Sequence, residues 1–406
     1  MKDESNSETQ HQRPSTHDLT PNTQDLTPNT QDLRPFSGKR LLIAGGGTGG
    51  HLYPGLAVAE VWTRGGGVVG FVGAPGNIEE RVVPGAGYPF YKVEVRGFAR
   101  GRSWRDRIQV VRALFLLFTL APLRQALHAI REFRPTVALG IGGYVSGPLL
   151  LAARLSRVPT MILQLDACPG LANRIAGLFV DRIGVAMGDV GVEFRRRDRV
   201  RLVGNPIRSE IVSASRAEAL DAFALVPGRR TILVFGGSLG SRAINQAITG
   251  ALRQLESVGR DIQVIHVTGR AHPIALAPEE ADALGIIYRA LEYCDRMPLA
   301  LAAADLVVCR AGATTIAELT ARGAPAILIP WSGAADNHQE GNARMLEVSR
   351  AARVLTDRDL TPESLADEIR ALIDQPDRLE AMAAASREMG VPDAADRVAL
   401  ELAKLG

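Results

Sequence analysis

The chain is poor in several features that would narrow its class at once. It has three cysteines in 406 residues, Cys168, Cys294 and Cys309. So odd and sparse a set makes no disulfide framework and fits a reducing compartment, and the spacing does not suit a zinc site. No apolar run approaches the roughly 18 residues needed to cross a bilayer. The first residues are polar and lack an apolar core, so no secretory signal is expected. Charge of one sign is not in excess: 47 Lys and Arg stand against 44 Asp and Glu, a net of +3, which gives no reason to expect a nucleic-acid partner. What is present, 46% hydrophobic and 22% charged residues, suits a globular protein with a full core. At about 150 residues per domain, the length suggests two or three domains.

Residues 1–36 are rich in Asn, Thr, Gln, Asp and Pro, and Asp18–Gln24 recurs as Asp25–Gln31. Such a segment buries too little apolar area to offset chain entropy and is expected to be disordered. The fold begins at the apolar run Arg40–Ala44, followed by a glycine loop and a helical pattern. The same grammar returns at Thr231–Phe235, with Gly236–Gly240 and a helix through Asn245. Further apolar runs, separated by helical patterns, argue for parallel sheets covered on both faces. The expected fold is α/β, with two doubly wound Rossmann-like domains whose glycine loops face a common cleft. The expected division is a tail over 1–36, a first domain over 37–205, a linker over 206–230, a second domain over 231–377 and a helical segment over 378–406 positioned to pack back on the first domain.

Several clusters carry chemistry. In Gly45-Gly46-Gly47-Thr48-Gly49-Gly50-His51, glycines let a backbone approach a phosphate or sugar, and the next helix presents free N–H groups. The spacing fits the dinucleotide fingerprint, but the acid expected about 20 residues on falls in Arg64-Gly65-Gly66-Gly67, which holds no carboxylate. A nicotinamide dehydrogenase is therefore disfavoured. His51 is a base or donor in the cleft, or else a helix-start histidine satisfied by backbone. Gly142 and Gly143 can line an acceptor pocket with Tyr144 and Ser146 as polar handles, or form only a tight turn. In Arg310–Glu318, a helix starting near Ala313 points N–H groups at a diphosphate, while Glu318 can take a ribose diol or simply complement the helix dipole. Asp336-Asn337-His338-Gln339 adds polar groups at a strand end. Arg100, Arg102, Arg105, Arg107 and Arg112 precede Leu114, Phe115, Leu117 and Phe118, a pattern that suits an anionic membrane surface or a core helix with a solvated entry. Asp357-Arg358-Asp359 could hold a divalent ion, but it directly precedes a helix start and reads as a solvated turn; no metal site is assigned.

Taken in order, Gly45–His51 with Pro54–Ala57, Gly142–Pro148, Pro169–Asn173, Gly204–Arg208, Gly236–Gly240, Arg310–Glu318 and Ala335–Gln339 strongly resemble the MurG family of bacterial peptidoglycan N-acetylglucosaminyltransferases. The resemblance covers about residues 39–400. It implies the two-domain GT-B fold and an inverting transfer of N-acetylglucosamine from UDP-N-acetylglucosamine to undecaprenyl-diphospho-N-acetylmuramyl-pentapeptide, with no cofactor required. It also implies a peripheral protein on the cytoplasmic face of the cell membrane. By position, Gly47, Thr48, Gly49 and Gly50 resemble the loop near the transferred sugar and acceptor diphosphate. Arg208 and Ser238 resemble diphosphate contacts, and Cys294 the backbone group that meets uracil. Ala313, Thr314 and Thr315 match helix-start phosphate contacts, Glu318 the ribose acid, and His338 and Gln339 a polar pair near the donor sugar.

The chain departs from this pattern twice. The family's His-Glu-Gln-Asn reads Leu163-Gln164-Leu165-Asp166 here, which puts a carboxylate at a donor-sugar contact. His338 also stands where Gln is common. His51 is the candidate base, and Asp166 the alternative. The rival functions are a noncatalytic UDP-sugar-binding protein and a sugar-nucleotide epimerase or hydrolase acting without a lipid acceptor.

Overall fold

The computed structural model describes residues 34–95, 120–237, 239–334 and 337–406. Seven strands form the first sheet: β1 (Arg40–Ala44), β2 (Val68–Gly73), β3 (Phe90–Lys92), β4 (Val137–Gly140), β5 (Thr160–Gln164), β6 (Arg182–Val185) and β7 (Val200–Leu202). The second sheet has six: β8 (Arg230–Phe235), β9 (Ile262–Val267), β10 (Ile287–Leu291), β11 (Leu306–Cys309), β12 (Ala326–Leu328) and β13 (Ala352–Val354). Every pairing is parallel. The orders are β3-β2-β1-β4-β5-β6-β7 and β10-β9-β8-β11-β12-β13, so each sheet reverses direction beside its first strand, between β1 and β4 and between β8 and β11. Such switch points are where doubly wound sheets receive ligands.

The central strands are buried on both faces because side chains alternate across the pleat. Leu41 and Ile43 of β1 face the helix Gly49–Arg64 through Val58 and Trp62, while Leu42 and Ala44 face the helices Leu120–Phe133 and Ser146–Leu155. β8 repeats this: Leu233 and Phe235 enter one core cluster, Ile232 and Val234 another. Among the described residues no helix is long and apolar enough to cross a membrane.

The described residues add detail at two of the expected divisions. The tail was expected to run to residue 36, but Phe36 is buried and stacks on Trp62 with ring centroids 4.5 Å apart. One aromatic side chain with a flat partner is enough to bring the end of a polar segment into the fold. The stretch 206–230 is not a free linker either. It forms the helices Ser209–Ser213 and Arg216–Ala222, and Ile207, Ile211, Ala219, Phe223 and Leu225 enter the second domain's core. Arg216 also ties it down through Asp305 at 2.8 Å.

The chain crosses between domains near Gly204 and returns near residue 391. The two crossings touch: Gly204 has φ +81°, and a Cβ there would lie 2.7 Å from Val391 and 2.9 Å from Ala394. Beyond it, the helix Ala394–Ala403 lays Val398, Ala399 and Leu402 into the first domain's cluster, and Lys39 Nζ donates to the Ala403 carbonyl at 2.7 Å. Because Leu402 is fully buried, Leu402→Ala should cost about 2–5 kcal/mol in denaturant unfolding. An unchanged midpoint would show that this helix is not part of the first domain's core.

Candidate active site

The glycine loop after β1 is held from below by a residue that sequence reading passed over. Glu79 is fully buried; its carboxylate accepts from Gly47 N at 2.9 Å, Ala74 N at 3.2 Å and Asn77 Nδ2 at 3.3 Å. Backbone N–H groups make such burial tolerable by charge-assisted bonding. A Cβ at Gly46 would sit 2.3 Å from that carboxyl, and Gly47 has φ +83°, so these two positions require glycine for contact and conformation respectively. In sequence, Glu79 looks like an ordinary acid in the first turn of a helix.

The loop after β4 closes over the same place. Gly142 and Gly143 have φ +97° and +74°, and a Cβ at Gly142 would lie 3.2 Å from the His51 ring. His51 is thus seated between the two glycine loops of the first domain, with Thr48 Oγ1 3.4 Å from its Nδ1. Burial holds the imidazole below its ordinary pKa. His338 acts in the same sense, while Asp166, Glu79 and a hydrogen bond to the Gly46 backbone pull the other way. The net result favours the neutral ring. Ser146, expected as a polar handle, is buried instead: its hydroxyl accepts from Gly142 N at 3.1 Å and faces the carbonyls of Ala44 and Gly142. It braces the turn and presents nothing to a ligand. Tyr144 is half-buried beside it.

The second domain answers with its own loops. Gly240 packs backbone to backbone on Thr268 and Gly269, leaving no room for a Cβ there. Behind it, Asn245 Nδ2 donates to the carbonyls of Thr268 and His272 at 2.8 and 2.6 Å, and its Oδ1 lies 3.0 Å from His266 Nε2. Burial lowers His266 to about 4 and raises Tyr288, its other partner at 2.6 Å, to about 12. Cys294 is buried in the second domain's core. After β11, the helix Ala313–Arg322 begins with Gly312 as its cap, so the N–H groups around Ala313, Thr314 and Thr315 are free of intrahelical partners. Arg310 reaches Asp357 at 2.5 Å and Ser241 Oγ at 2.9 Å. Burial opposes ionisation of Asp357, yet hydrogen bonds from Ser332 and Arg310 hold it below the usual carboxylate range. Asp357 is therefore a strut. Among the described residues no cluster of His, Cys, Asp or Glu side chains is arranged to hold a metal ion.

Among the described residues, several contacts join the two domains across the cleft. Pro54 has no N–H to give to the carbonyl of Gly50 one helical turn earlier, and Thr314 Oγ1 takes that carbonyl from the other side at 2.9 Å. Arg208 stacks over the Tyr53 ring at 4.6 Å and lies 3.7 Å from Glu318, while Arg208 Nε is buried with no hydrogen-bond partner. Tyr53 is pushed up to about 12, first by burial and then by a hydrogen bond with Tyr293. Burial raises Glu318 to about 7 against the opposing pull of Arg208. Finally, Asn342, fully buried, accepts from Ala167 N at 2.8 Å and donates to the Ala311 carbonyl at 3.0 Å and to Asp166 Oδ1 at 3.2 Å. His338 Nε2 lies 3.9 Å from the same Asp166 oxygen. Gln339 is occupied by Trp331 N at 3.0 Å.

The structure thus brings Gly47–His51, Gly142–Tyr144, Asp166, Arg208, Ala313–Glu318 and His338 to one cleft. Ser238 and the expected membrane residues Arg105, Arg107, Leu114, Phe115, Leu117 and Phe118 lie outside the described residues. Tyr53, Glu79, Asn245, Tyr293 and Asn342 escaped sequence reading. Only Asn342 carried a signal: an amide inside a helix whose neighbours are apolar.

Comparison with known proteins bears on this cleft. Residues 41–185 match the glycosyltransferase family 28 N-terminal domain and residues 231–398 the family 28 C-terminal domain. The chain is 41% identical over 362 residues to the UDP-N-acetylglucosamine–N-acetylmuramyl-(pentapeptide) pyrophosphoryl-undecaprenol N-acetylglucosamine transferase of Halothermothrix orenii, covering 87% of this chain and 95% of that protein. It is 42% identical over 371 residues to the protein of the same name from Anaeromyxobacter sp., covering 90% and 93%. The crystal structure of Acinetobacter baumannii MurG superposes with a TM-score of 0.69 at 28% identity, over 90% of this chain and 99% of that one.

The raised Glu318 has a consequence for stability. Its folded value of about 7 lies above the ordinary 4.5, so protonation favours the folded state. The contribution is complete below the unfolded value and is lost as pH rises through the folded one. Without ligand, the protein should lose thermal stability between about pH 5 and pH 8, and Glu318→Gln should flatten that slope. Equal slopes in the two proteins would remove Glu318 as its source.

Proposed function

The chain belongs to glycosyltransferase family 28, among the N-acetylglucosaminyltransferases that act on pyrophosphoryl-undecaprenol-linked N-acetylmuramyl-pentapeptide, and on that premise we propose how its cleft carries out the transfer. The activity is that of peptidoglycan synthesis, the conversion of lipid I to lipid II with UDP-N-acetylglucosamine as donor. The acceptor's sugar hydroxyl attacks the anomeric carbon, the bond from that carbon to the diphosphate breaks, and UDP leaves as the configuration inverts. His51 takes the hydroxyl proton. The observation that carries this assignment is the seat of the His51 ring between the two first-domain glycine loops, where burial favours the neutral, proton-accepting form. The acceptor lies along Gly47, Thr48 and Gly142–Tyr144.

Charge developing on the leaving diphosphate is met by Arg208 and by the N-terminus of the helix Ala313–Arg322, with Ser238 at the second glycine loop. Preorganised donors of this kind stabilise a transition state without reorganisation, so the reading assigns no metal or other cofactor. Glu318 takes the ribose diol and the Cys294 backbone the uracil. Asp166 is the alternative base, but its contacts with Asn342 and His338 favour a place at the donor sugar.

His51→Ala should lower transfer to a lipid-linked acceptor by about 100-fold or more while leaving UDP affinity nearly unchanged. If that variant turns over normally and Asp166→Asn is inactive, the base is Asp166.

The protein works as a peripheral enzyme on the cytoplasmic face of the membrane, without a nucleic-acid partner. Arg105 and Arg107, followed by Leu114, Phe115, Leu117 and Phe118, supply the cationic and apolar elements of an anionic docking patch. It should sediment with anionic vesicles at low salt, and charge reversal at Arg105 and Arg107 or added salt should release it. Equal sedimentation with neutral vesicles would exclude electrostatic docking.

A further inference from the structure

One buried polar cluster of the second domain has no part in the transfer as read above. His266 of β9 and Asn245 of the helix Arg242–Gln254 are fully buried, and Tyr288 of β10 is half-buried beside them. The fixed donors set the direction of every bond among them. Asn245 Nδ2 donates to the carbonyls of Thr268 and His272, so its Oδ1 must accept, and His266 Nε2 at 3.0 Å carries the proton. His266 Nδ1 is then an acceptor. It takes the Tyr288 hydroxyl proton at 2.6 Å, and that hydroxyl accepts in turn from Leu276 N at 3.4 Å. Burial keeps the ring neutral, as this order of donors requires. The series of bonds starts at Leu276 and ends at Thr268 and His272, so both its ends hold the one loop that follows β9.

That loop is the surface on which Gly240 rests. A Cβ at Gly240 would lie 2.1 Å from the Thr268 carbonyl oxygen, and one at Gly269 would lie 2.3 Å from Gly240 Cα. Backbone meets backbone here, with no side chain to absorb a shift. We propose that Tyr288, His266 and Asn245 form a hydrogen-bond relay that positions Gly240, and the helix start that follows it, for the donor's diphosphate. All three are positioning residues and none touches substrate. Donors that stabilise a leaving group must be fixed before the reaction, and the relay does this from behind the loop. A leucine in place of His266 would fill the strand position but would strip Asn245 Oδ1 and the Tyr288 hydroxyl of their shared partner. The Asn245 amide would then be free to turn, and the loop at Thr268 would lose its fixed donor.

This rests on the reading that places the donor's diphosphate at the second glycine loop. The test compares the full-length wild-type protein with His266→Leu, His266→Gln, Tyr288→Phe and the double variant His266→Leu/Tyr288→Phe. His266→Leu should raise KM for UDP-N-acetylglucosamine and weaken UDP binding by about tenfold, with KM for the lipid acceptor and kcat within about threefold of wild type. His266→Gln keeps an amide N–H where Nε2 stood and should restore donor KM. Tyr288→Phe should act more weakly and add nothing to His266→Leu, since a broken relay cannot be broken twice. If His266→Leu does not fold, His266→Asn, whose amide is too short to reach Asn245, carries the same expectation. Hydrogen exchange over residues 268–276 of the ligand-free protein should quicken in His266→Leu and not in His266→Gln. Equal rises in donor and acceptor KM, a glutamine no better than leucine, effects of His266 and Tyr288 that multiply, or unchanged exchange would each overturn the relay. A wild-type protein that binds neither UDP nor UDP-N-acetylglucosamine would overturn the parent reading instead, and the exchange measurement would still decide whether His266 holds the loop.

Discussion

A strand in a parallel sheet must hand its chain to a crossover at its carboxyl end, and every such handover in this molecule falls on one side of its sheet. That constraint collects the functional loops. Ala44, Gly140 and Gln164 end their strands on one side of the cleft, and Phe235 and Cys309 on the other. The loops that follow are the ones that hold His51, Asp166, the second glycine loop and the helix start at Ala313. Because the first domain's last helix returns past Gly204, the two sheets are joined at a close double crossing, with their loop-bearing ends face to face.

Within the cleft, the arrangement is governed by what happens to polar groups removed from water. A buried carboxylate must find donors, and each one here has a different solution. Glu79 uses backbone N–H groups and so shapes the first glycine loop. Asp357 uses Arg310 and Ser332 and becomes a strut. Glu318 has only Arg208 at a longer 3.7 Å, and it is the one held near neutrality. The group with the poorest protein partners is the one best prepared to accept them from a ligand. Arg208, with an unpaired buried Nε, is its cationic counterpart. The carbonyl freed by Pro54 follows the same logic, since Thr314 satisfies it from the opposite domain.

Much of this was legible in the linear pattern. The continuous apolar runs marked the central strands, and glycine clusters after them marked the strand-end loops, because both signals are local. The edge strands β3, β7, β10 and β13 were not read. They are short or only half-buried, so neither hydrophobicity nor alternation singles them out. Phe36 looked like part of a polar tail because its partner, Trp62, is remote in sequence. Ser146 looked like a ligand contact because a serine beside glycines carries no mark of whether its hydroxyl turns inward.

Sequence alone determined the α/β class, the two glycine-led halves and most of the residues that reach the cleft, since strand, loop and helix propensities act over a few neighbouring residues. Tertiary structure decided which of those residues cooperate. Glu79 beneath Gly46, Arg208 between Tyr53 and Glu318, and Asp166 opposite His338 and Asn342 are pairings between distant segments. Burial makes each of them matter, because a charge or amide taken out of water depends on the partner that only the folded chain brings within reach.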